Sequence, residues 1–348
     1  MKKNLAIIGY GGMGGWHARH ALQSDVVHLS GIYDILEERR LAAEKDGIHA
    51  YPTLEAVLAD PAVDLITVAV PNDSHLDVVT RSLAAGKNVI CEKPVAISSS
   101  DLNTMIEAAE KSGKLFTTHQ NRRWDVDFLA IKALCASGKI GEPLRIESRI
   151  HGSRGIPSDW RGERQHGGGM ILDWGVHLID QILQIFRQPI TSVYCETTHI
   201  TNQEVDDGFY LTLFFEGGAE AMIEVGTYNF IALPRFYLKA KNGSAIITDW
   251  REPAHVVRCK YWHENDVLPV QTAAGLTKTM APRDDITTES WDEERPASDV
   301  HDFYRNVCAA IDGKEKQLVT HEQMRRVVRV MEAAFESAEK KQVIPFIG

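Results

Sequence analysis

The sequence has few features of a secreted, membrane-spanning or nucleic-acid-binding chain. Its five cysteines are odd in number, widely separated and never spaced as C-x-x-C, which favours reduced thiols in a cytoplasmic protein. No apolar run approaches the ~20 residues that span a bilayer, and Lys2-Lys3 leads into a strand-like segment rather than a signal peptide. The 48 acidic residues outnumber the 38 basic ones, giving a net charge of −10. We therefore expect neither a membrane nor a nucleic-acid partner.

The first part of the chain has the pattern of a parallel α/β domain. The length of 348 residues corresponds to about two domains, and 44% of the residues are hydrophobic, enough for a large core. Up to about residue 121, short apolar runs such as 4–8, 64–70 and 88–91 alternate with amphipathic stretches. Near-continuous apolar strands separated by helices are typical of a parallel sheet covered on both faces. We predict a doubly wound α/β domain over residues 1–122.

The pattern changes from about residue 140, where the apolar runs become typical of a mostly antiparallel sheet. Glycine-containing turns after residues 215 and 240 connect neighbouring runs and predict hairpins. The polar stretch 255–298 is predicted to be an irregular surface excursion, or alternatively a loop that closes a site or meets another subunit. The predicted strands are 144–151, 190–198, 209–216, 219–225, 236–241 and 244–249, and the predicted helices are 169–186, 302–311 and 321–341. We assign this second α/β domain, residues 123–348, to substrate binding.

A glycine-rich turn follows the first predicted strand and begins the first helix. The motif G-x-G-x-x-G comprises Gly9, Tyr10, Gly11, Gly12, Met13 and Gly14. Gly9 permits the tight turn, Gly11 lets a pyrophosphate approach the backbone, and Gly14 lets the helix pack closely on the strand. The helix N-terminus then supplies N–H groups and partial positive charge to the anion. The position of this motif predicts a dinucleotide site.

Asp34 ends the second predicted strand, twenty residues after Gly14, and bears on which dinucleotide binds. Its carboxylate can accept hydrogen bonds from the adenosine ribose hydroxyls. It would repel an additional 2′-phosphate by ~1–4 kcal/mol at a surface-like dielectric. Ile35 offers no compensating donor, although Arg39 and Arg40 lie one turn further along. We predict NAD(H) rather than NADP(H) as the cofactor.

Glu92-Lys93-Pro94 follows the predicted strand 88–91, at the carboxyl edge where doubly wound sheets bind ligands. Because Lys93 precedes a proline, its backbone favours an extended conformation that leaves the strand sharply. A lysine held there could donate to a substrate hydroxyl and stabilise a developing alkoxide. The alternative is an ordinary exposed loop lysine.

Asp173 and His177 follow the glycine run 167–169 with the i, i+4 spacing that places two side chains on one helix face. The pKa of histidine suits general acid–base chemistry near neutrality. Asp173 could orient the imidazole or share hydrogen bonds with His177 and the substrate. A buried structural pair and a shared metal ion are the alternatives. No nearby spacing places a third ligand, His166 being the nearest candidate, so we expect no metal.

Three further segments supply weaker candidates. Pro71, Asn72 and His75 follow the predicted strand 64–70 and are expected near the nicotinamide ribose, whereas Asp73 and Ser74 could cap the next helix. Asn121 and Arg122 are expected in the cleft between the domains, and Arg123 there or in an interdomain ion pair. Trp160 and Arg161 could form a wall of the substrate pocket. His151 and Asp159 are weaker still.

In this order, the glycine motif, Glu92-Lys93-Pro94, 121–123 and the Asp173-x-x-x-His177 helix resemble the Gfo/Idh/MocA family of oxidoreductases. The resemblance implies a Rossmann domain followed by an α/β domain with a large open sheet, often used for oligomerisation. It also implies that Lys93, Asp173 and His177 form a catalytic triad acting on a pyranose, cyclitol or related polyol. Glu92 and Lys93 are then expected beside the cofactor as well.

The function expected from the sequence is reversible oxidation of a secondary hydroxyl of a sugar, inositol or related polyol, with NAD as cofactor. His177 would remove the hydroxyl proton, Lys93 would stabilise the alkoxide-like oxygen, and Asp173 would fix His177 or a neighbouring substrate hydroxyl. Two alternatives differ in kind. One is 3-oxidation of a sugar or glycoside with tightly bound, recycled NAD(H), and the other is a non-catalytic sugar or dinucleotide sensor. A homodimer or homotetramer formed through the C-terminal sheet is expected.

Overall fold

The computed structural model describes residues 2–261 and 268–346, which form two large sheets, each with its own helices, and a separate two-stranded sheet. The five-stranded sheet with its helices is called the first unit, and the nine-stranded sheet with its helices the second unit. Part of the predicted excursion 255–298, and the last two residues of the predicted second domain, lie outside the described residues. None of the described helices combines the length and apolar character needed to cross a membrane. All five cysteines carry free thiols.

The first sheet has five parallel strands in the order β2-β1-β3-β4-β5, which confirms the doubly wound architecture. Its central strands are apolar on both faces because helices cover both sides, and every residue of β3 is buried. The strands are β1 Lys3–Ile8, β2 Val27–Tyr33, β3 Leu65–Val68, β4 Asn88–Cys91 and β5 Phe116–Thr118. The helices are α1 Gly12–Gln23, α2 Glu37–Lys45, α3 Leu54–Ala59, α4 His75–Ala84 and α5 Ser99–Ser112.

The second sheet has nine strands and is antiparallel except where β6 pairs with β9, which confirms the mostly antiparallel C-terminal sheet. Helix α9 packs against β7 and helix α7 against β9, and the two helices contact each other on one face of the sheet. Assembly through the C-terminal sheet stays a prediction. The helices are α6 Val126–Ser137, α7 Val176–Ile185, α8 His301–Ile311 and α9 His321–Lys340. The nine strands of the sheet are β6 Pro143–His151, β7 Ile190–Thr198, β8 Gly208–Phe215, β9 Glu220–Gly226, β10 Phe236–Ala240, β11 Gly243–Ile247, β12 His255–Cys259, β15 Thr288–Asp292 and β16 Ile344–Pro345. The strands β13 Val270–Thr272 and β14 Gly275–Thr277 form the separate two-stranded sheet.

Two predictions of local structure are wrong. Residues 169–186 are not one α-helix, because Ile171–Gly175 forms a wider π-helical turn before α7 begins. Residues 255–298 are not wholly an irregular excursion, because β12 and β15 pair with each other and extend the nine-stranded sheet. The polar sequence of β15 gave little signal, since much of this edge strand faces solvent.

The predicted boundary between residues 122 and 123 lies between the last strand of the first sheet and the first strand of the second. Arg123, in the short 3₁₀ turn that follows β5, anchors this crossover. Its Nε and Nη2 donate to the Asp180 carboxylate at 2.7 and 2.6 Å, and its Nη1 donates to the Leu318 carbonyl and Gln323 Oε1. Of its two predicted positions, Arg123 therefore occupies the one in an ion pair and does not line the cleft.

The C-terminal part of the chain also returns to the first sheet. Tyr304 on α8 hydrogen-bonds His17 on α1, and the Glu332 carboxylate on α9 accepts from the Ser99 backbone N–H at the start of α5. The edge of the first unit is thus covered by helices from the far end of the sequence.

Removing Arg123 should destabilise the protein strongly. Arg123→Ala leaves the buried Asp180 carboxylate without its bidentate partner, a change that costs about 3–5 kcal/mol. Urea unfolding followed by circular dichroism measures the loss in free energy of unfolding. Arg305→Ala is the matched control, because Arg305 also forms ion pairs but in solvent, and its loss should be much smaller. Equal losses for the two variants would contradict the role of Arg123.

Candidate active site

A cavity of about 540 Å³ lies where the carboxyl ends of β1, β3 and β4 face the second unit. A larger groove of about 820 Å³ lies on the outer surface between α4 and α5, away from the convergent groups described below. The lining of the 540 Å³ cavity is Gly11, Gly12, Met13, Arg39, Ala69, Val70, Pro71, Asn72, Glu92, Lys93, Asn121, Arg122, Asp159, Trp160, Arg161, Asp173, Trp174 and His177. The tertiary structure therefore brings together most of the predicted site residues.

The glycine-rich turn is closely packed at Gly9 and Gly14 and open at Gly12. A Cβ at Gly9, whose φ is +92°, would lie 2.3 Å from the Ala69 carbonyl oxygen, and one at Gly14 would lie 1.8 Å from the Gly9 oxygen. No neighbouring atom lies within 4 Å of a Cβ at Gly12. This open cradle at the N-terminus of α1 fits a diphosphate group, and Gly14 has its predicted packing role. Tyr10 contributes its backbone N–H to Asp34 rather than a side chain to the cavity.

Asp34 is buried behind this turn, and its carboxylate already accepts hydrogen bonds from the chain itself. Oδ2 accepts from the Tyr10 N–H at 2.7 Å and from Arg39 Nη1 at 3.2 Å, and Oδ1 accepts from the Leu36 N–H at 2.9 Å. Arg39 reaches across to the glycine turn, where its Nη1 would lie 3.4 Å from a Cβ at Gly11. The adenosine end of the site thus carries a half-exposed cation beside the buried carboxylate. That Asp34 binds the ribose stays a prediction.

Lys93 and Asp173 meet across the cavity. Lys93 Nζ donates to Asp173 Oδ1 at 2.8 Å and to the Asp173 carbonyl oxygen at 2.9 Å, which leaves its third N–H for another acceptor. Arg161 Nε lies 3.6 Å from the same Oδ1. Burial opposes ionisation of Asp173, but the charges and hydrogen bonds of Lys93 and Arg161 outweigh it and lower its pKa. Lys93 is therefore held in place and is not an ordinary exposed loop lysine.

His177 lines the same cavity, with its Nδ1 buried and unpartnered. The other ring nitrogen, Nε2, is therefore the one left to face the cavity. Burial lowers the pKa of His177 well below its ordinary value, and the nearby cations Lys93 and Arg122 lower it further. The Asp173 carboxylate bonds Lys93 instead of this imidazole, so orientation of His177 by Asp173 does not fit the geometry. A hydrogen bond from a substrate hydroxyl to Asp173 stays a prediction.

The π-helical turn that carries Asp173 depends on the preceding glycines. The Ile171 N–H at its start donates to the Asp206 carboxylate at 2.8 Å. Gly169 has a φ of +106°, and a Cβ there would lie 2.3 Å from Asp206 Oδ1. Glycine is needed at this position because it permits both the backbone conformation and the close approach of the carboxylate.

The segment after β3 contacts the second unit. The Asn72 side-chain amide donates to the Gly167 carbonyl oxygen at 2.8 Å, so Asn72 joins the two units while lining the cavity beside Pro71. His75 is fully buried behind the cavity, with its ring nitrogens 3.0 Å from the Pro94 and Val70 carbonyl oxygens. The ring therefore braces the neighbouring loops, and contact of His75 with the cofactor stays a prediction.

The guanidinium groups of Arg122 and Arg161 each lie over a tryptophan ring at the predicted substrate end of the cavity. The Arg122 guanidinium lies 4.1 Å from the Trp174 ring and 5.7 Å from the Trp250 ring, and that of Arg161 lies 4.6 Å from the Trp160 ring. Sequence reasoning missed Trp174 and Trp250. Trp174 sits inside the Asp173–His177 motif and could have been found there, whereas Trp250 comes from a distant loop with no sequence signal.

Glu92 belongs to a buried cluster that sequence reasoning also missed. Its Oε1 accepts from His17 Nε2 at 2.6 Å and from His119 Nδ1 at 2.8 Å, and its Oε2 accepts from the Lys93 N–H at 3.1 Å. These three side chains could offer ligand atoms within 4.8 Å of one another. The carboxylate is already satisfied by N–H donors, however, which accounts for the cluster without an ion.

The metal alternative for Asp173 and His177 finds no third ligand at the predicted candidate. The His166 ring lies 3.1 Å from Asp73 and 3.5 Å from Glu163, and no hydrogen bond or ion pair joins it to Asp173 or His177 among the described residues. Asp173 is instead paired with Lys93 and Arg161.

Comparison with known proteins agrees with the two-domain fold. Residues 3–120 match the family model described as an oxidoreductase family with an NAD-binding Rossmann fold, and residues 128–246 match the GFO/IDH/MocA C-terminal domain. The crystal structure of an NAD-binding protein from Listeria innocua is 43% identical, covers 99% of both chains and superimposes with a TM-score of 0.96.

Two named dehydrogenases are also similar. The scyllo-inositol 2-dehydrogenase (NADP(+)) IolW of Bacillus subtilis is 28% identical over 98% of this chain and 95% of its own length. The myo-inositol 2-dehydrogenase of Thermotoga maritima is 31% identical over 63% of this chain and 67% of its own. Together with the two matched domains, these relatives show that the chain belongs to the Gfo/Idh/MocA family of NAD(P)-binding oxidoreductases.

Proposed function

We propose that this protein is an NAD(H)-dependent oxidoreductase that oxidises a secondary hydroxyl of a sugar, inositol or related polyol. The observation that carries the proposal is the convergence of the Lys93 ammonium and the His177 imidazole on a cavity continuous with the glycine-rich turn. The substrate class is also supported by the inositol dehydrogenases among the relatives. A neutral polyol suits the substrate end, where Lys93, Arg122 and Arg161 are each paired with an aspartate.

Each group that lines the cavity has a proposed role that suits its chemistry. The open turn at Gly11–Gly12 would hold the dinucleotide diphosphate, and bound NAD supplies the hydride acceptor. His177 is neutral near pH 7 because burial lowers its pKa, so its imidazole can accept the hydroxyl proton. The free N–H of Lys93 donates to the oxygen as negative charge develops there. Asp173 holds the lysine and offers its remaining lone pairs to a neighbouring hydroxyl.

We propose NAD(H) as the preferred cofactor because the Asp34 carboxylate disfavours a second anion at the ribose. Arg39 moderates this preference, since its guanidinium pairs with Asp34 and stands above the turn at Gly11. One relative is named as an NADP(+) enzyme, which makes the balance between these two side chains worth measuring.

Replacing His177 should remove turnover but not cofactor binding. His177→Ala deletes the proposed proton acceptor and should lower kcat by ~10²–10⁴-fold. Initial rates of NADH formation from inositols and hexoses, together with calorimetric titration of NAD+, measure the two properties separately. His255→Ala is the matched control, because His255 is an exposed histidine on β12, outside the lining of the cavity. Turnover equal to that of wild type would refute the assignment of His177.

The acid limb of the pH profile should lie well below pH 6.5. A histidine whose pKa is lowered by burial takes up its proton only at lower pH. His177 therefore remains neutral and able to accept a proton at pH 6.5, and activity declines only when the pH is lowered further. The measurement is kcat/KM from pH 4.5 to 8, with structural integrity followed by circular dichroism. A half-maximal point at or above 6.5 would contradict a buried His177 as the base.

Removing the charge of Arg39 should sharpen the preference for NAD(H). In Arg39→Gln the affinity for NADP+ should fall by roughly ten-fold, whereas that for NAD+ changes little, because the lost cation would lie beside a 2′-phosphate on a ribose held at Asp34. Calorimetric titration with both cofactors measures the ratio, and Arg19→Gln on the exposed side of α1 is the control. An unchanged ratio would show that Arg39 does not influence the choice.

A further inference from the structure

We infer that Glu92 is a fixed buried anion that favours the oxidised, cationic nicotinamide and so sets the balance between NAD+ and NADH on the protein. The inference rests on the proposed cofactor and assigns to Glu92 a task separate from proton transfer. It starts from the cluster of Glu92, His17, His119 and Tyr304, which no step of the proposed reaction uses.

The cluster holds its carboxylate with N–H donors in a water-poor setting. Glu92, His17 and His119 are all buried, and both imidazoles donate to Glu92 Oε1, at 2.6 and 2.8 Å. The carboxyl of Glu92 accepts N–H hydrogen bonds from His17, His119 and the Lys93 backbone, and hydrogen bonds to the charged form of a carboxyl favour that form. The group at this position is therefore a carboxylate.

The two histidines that bind this carboxylate are neutral, so its charge is not cancelled. A protonated His119 would carry an N–H at Nε2, and that atom is buried with no partner. Burial also lowers the pKa of His17, which satisfies both neighbours as a neutral ring when Nε2 donates to Glu92 and Nδ1 accepts from the Tyr304 hydroxyl. The cluster thus has a net charge of about −1.

The charge is at the end of the cavity where the nicotinamide belongs. Glu92 lines the cavity at the carboxyl end of β4, whereas Asp34 and the glycine turn, after β2 and β1, take the adenosine and diphosphate. The ammonium of the adjacent residue, Lys93, is paired with the Asp173 carboxylate rather than with Glu92. The nicotinamide ring is cationic before it accepts a hydride and neutral afterwards, so a neighbouring carboxylate stabilises the oxidised form preferentially.

The test compares the affinities for NAD+ and NADH by calorimetric titration at fixed pH and ionic strength. In Glu92→Gln, the ratio Kd(NAD+)/Kd(NADH) should rise by roughly ten-fold, as expected for loss of a unit charge in a partly dry site. A ten-fold change raises the midpoint potential of the bound two-electron couple by ~30 mV. Equilibration of the bound couple with a redox dye of known potential measures that shift independently.

Tyr304→Phe is the matched control, because it disturbs the same buried cluster but leaves the carboxylate in place. Its ratio should equal that of wild type. A second charge-free variant, H17L/E92L/H119F, replaces the polar cluster with apolar side chains of similar size, a change that folded proteins often tolerate. It should shift the ratio in the same direction as Glu92→Gln and provides the answer if the single variant does not fold.

The outcomes separate the inference from the function on which it rests. Binding of both cofactor forms with a ratio unmoved in the charge-free variants would overturn the role of Glu92 while leaving the proposed function intact. An equal shift in Tyr304→Phe would also overturn it, because packing rather than charge would then set the ratio. Failure of wild type to bind either form would overturn the proposed cofactor, and the inference with it.

Discussion

The hydrogen-bonded ion pair between Lys93 and Asp173 is the interaction on which the site depends. Lys93 comes from the loop after β4 in the first unit, and Asp173 from the π-helical turn of the second, eighty residues later. The ammonium binds both the carboxylate and the carbonyl oxygen of Asp173, so the contact fixes backbone as well as side chain. Because this pair closes one wall of the cavity, the position of His177 one turn further on follows from it.

Several buried contacts support that closure. Arg123 holds the crossover between the sheets through a bidentate pair with Asp180, and Asn72 joins the loop after β3 to the glycine run through the Gly167 carbonyl. Each contact involves a buried polar group, which would be left without water or a partner if the hydrogen bond broke. Small rearrangements of the cleft therefore cost free energy. The cleft is therefore held by directional bonds between elements far apart in sequence, and the side chains that line it keep fixed positions.

Much of the fold and part of the site could be predicted from the sequence because the signals were local. The apolar runs of β3 and β4 each occupy a few consecutive residues, so they are visible in the sequence. The glycine motif and Asp34 lie close together because they follow β1 and β2, which are adjacent strands. The π-helical turn was missed because its cause, the Asp206 carboxylate against Gly169, comes from a strand-entry loop some thirty-five residues away. Trp250 and Tyr304 were missed for the same reason.

The order of the elements and the glycine-rich turn could be read from the chain alone, since periodicity and motif spacing are properties of the sequence. Lys93, Asp173 and His177 were candidates on their spacing, and the family resemblance grouped them as a predicted triad. Tertiary structure decided which partners these groups take. It paired Asp173 with Lys93 rather than with His177, turned His75 away from the cavity, and placed His17 and His119 on Glu92. Charge states and hydrogen-bond partners depend on burial and on distances of a few ångströms, and those exist only once the two sheets have packed together.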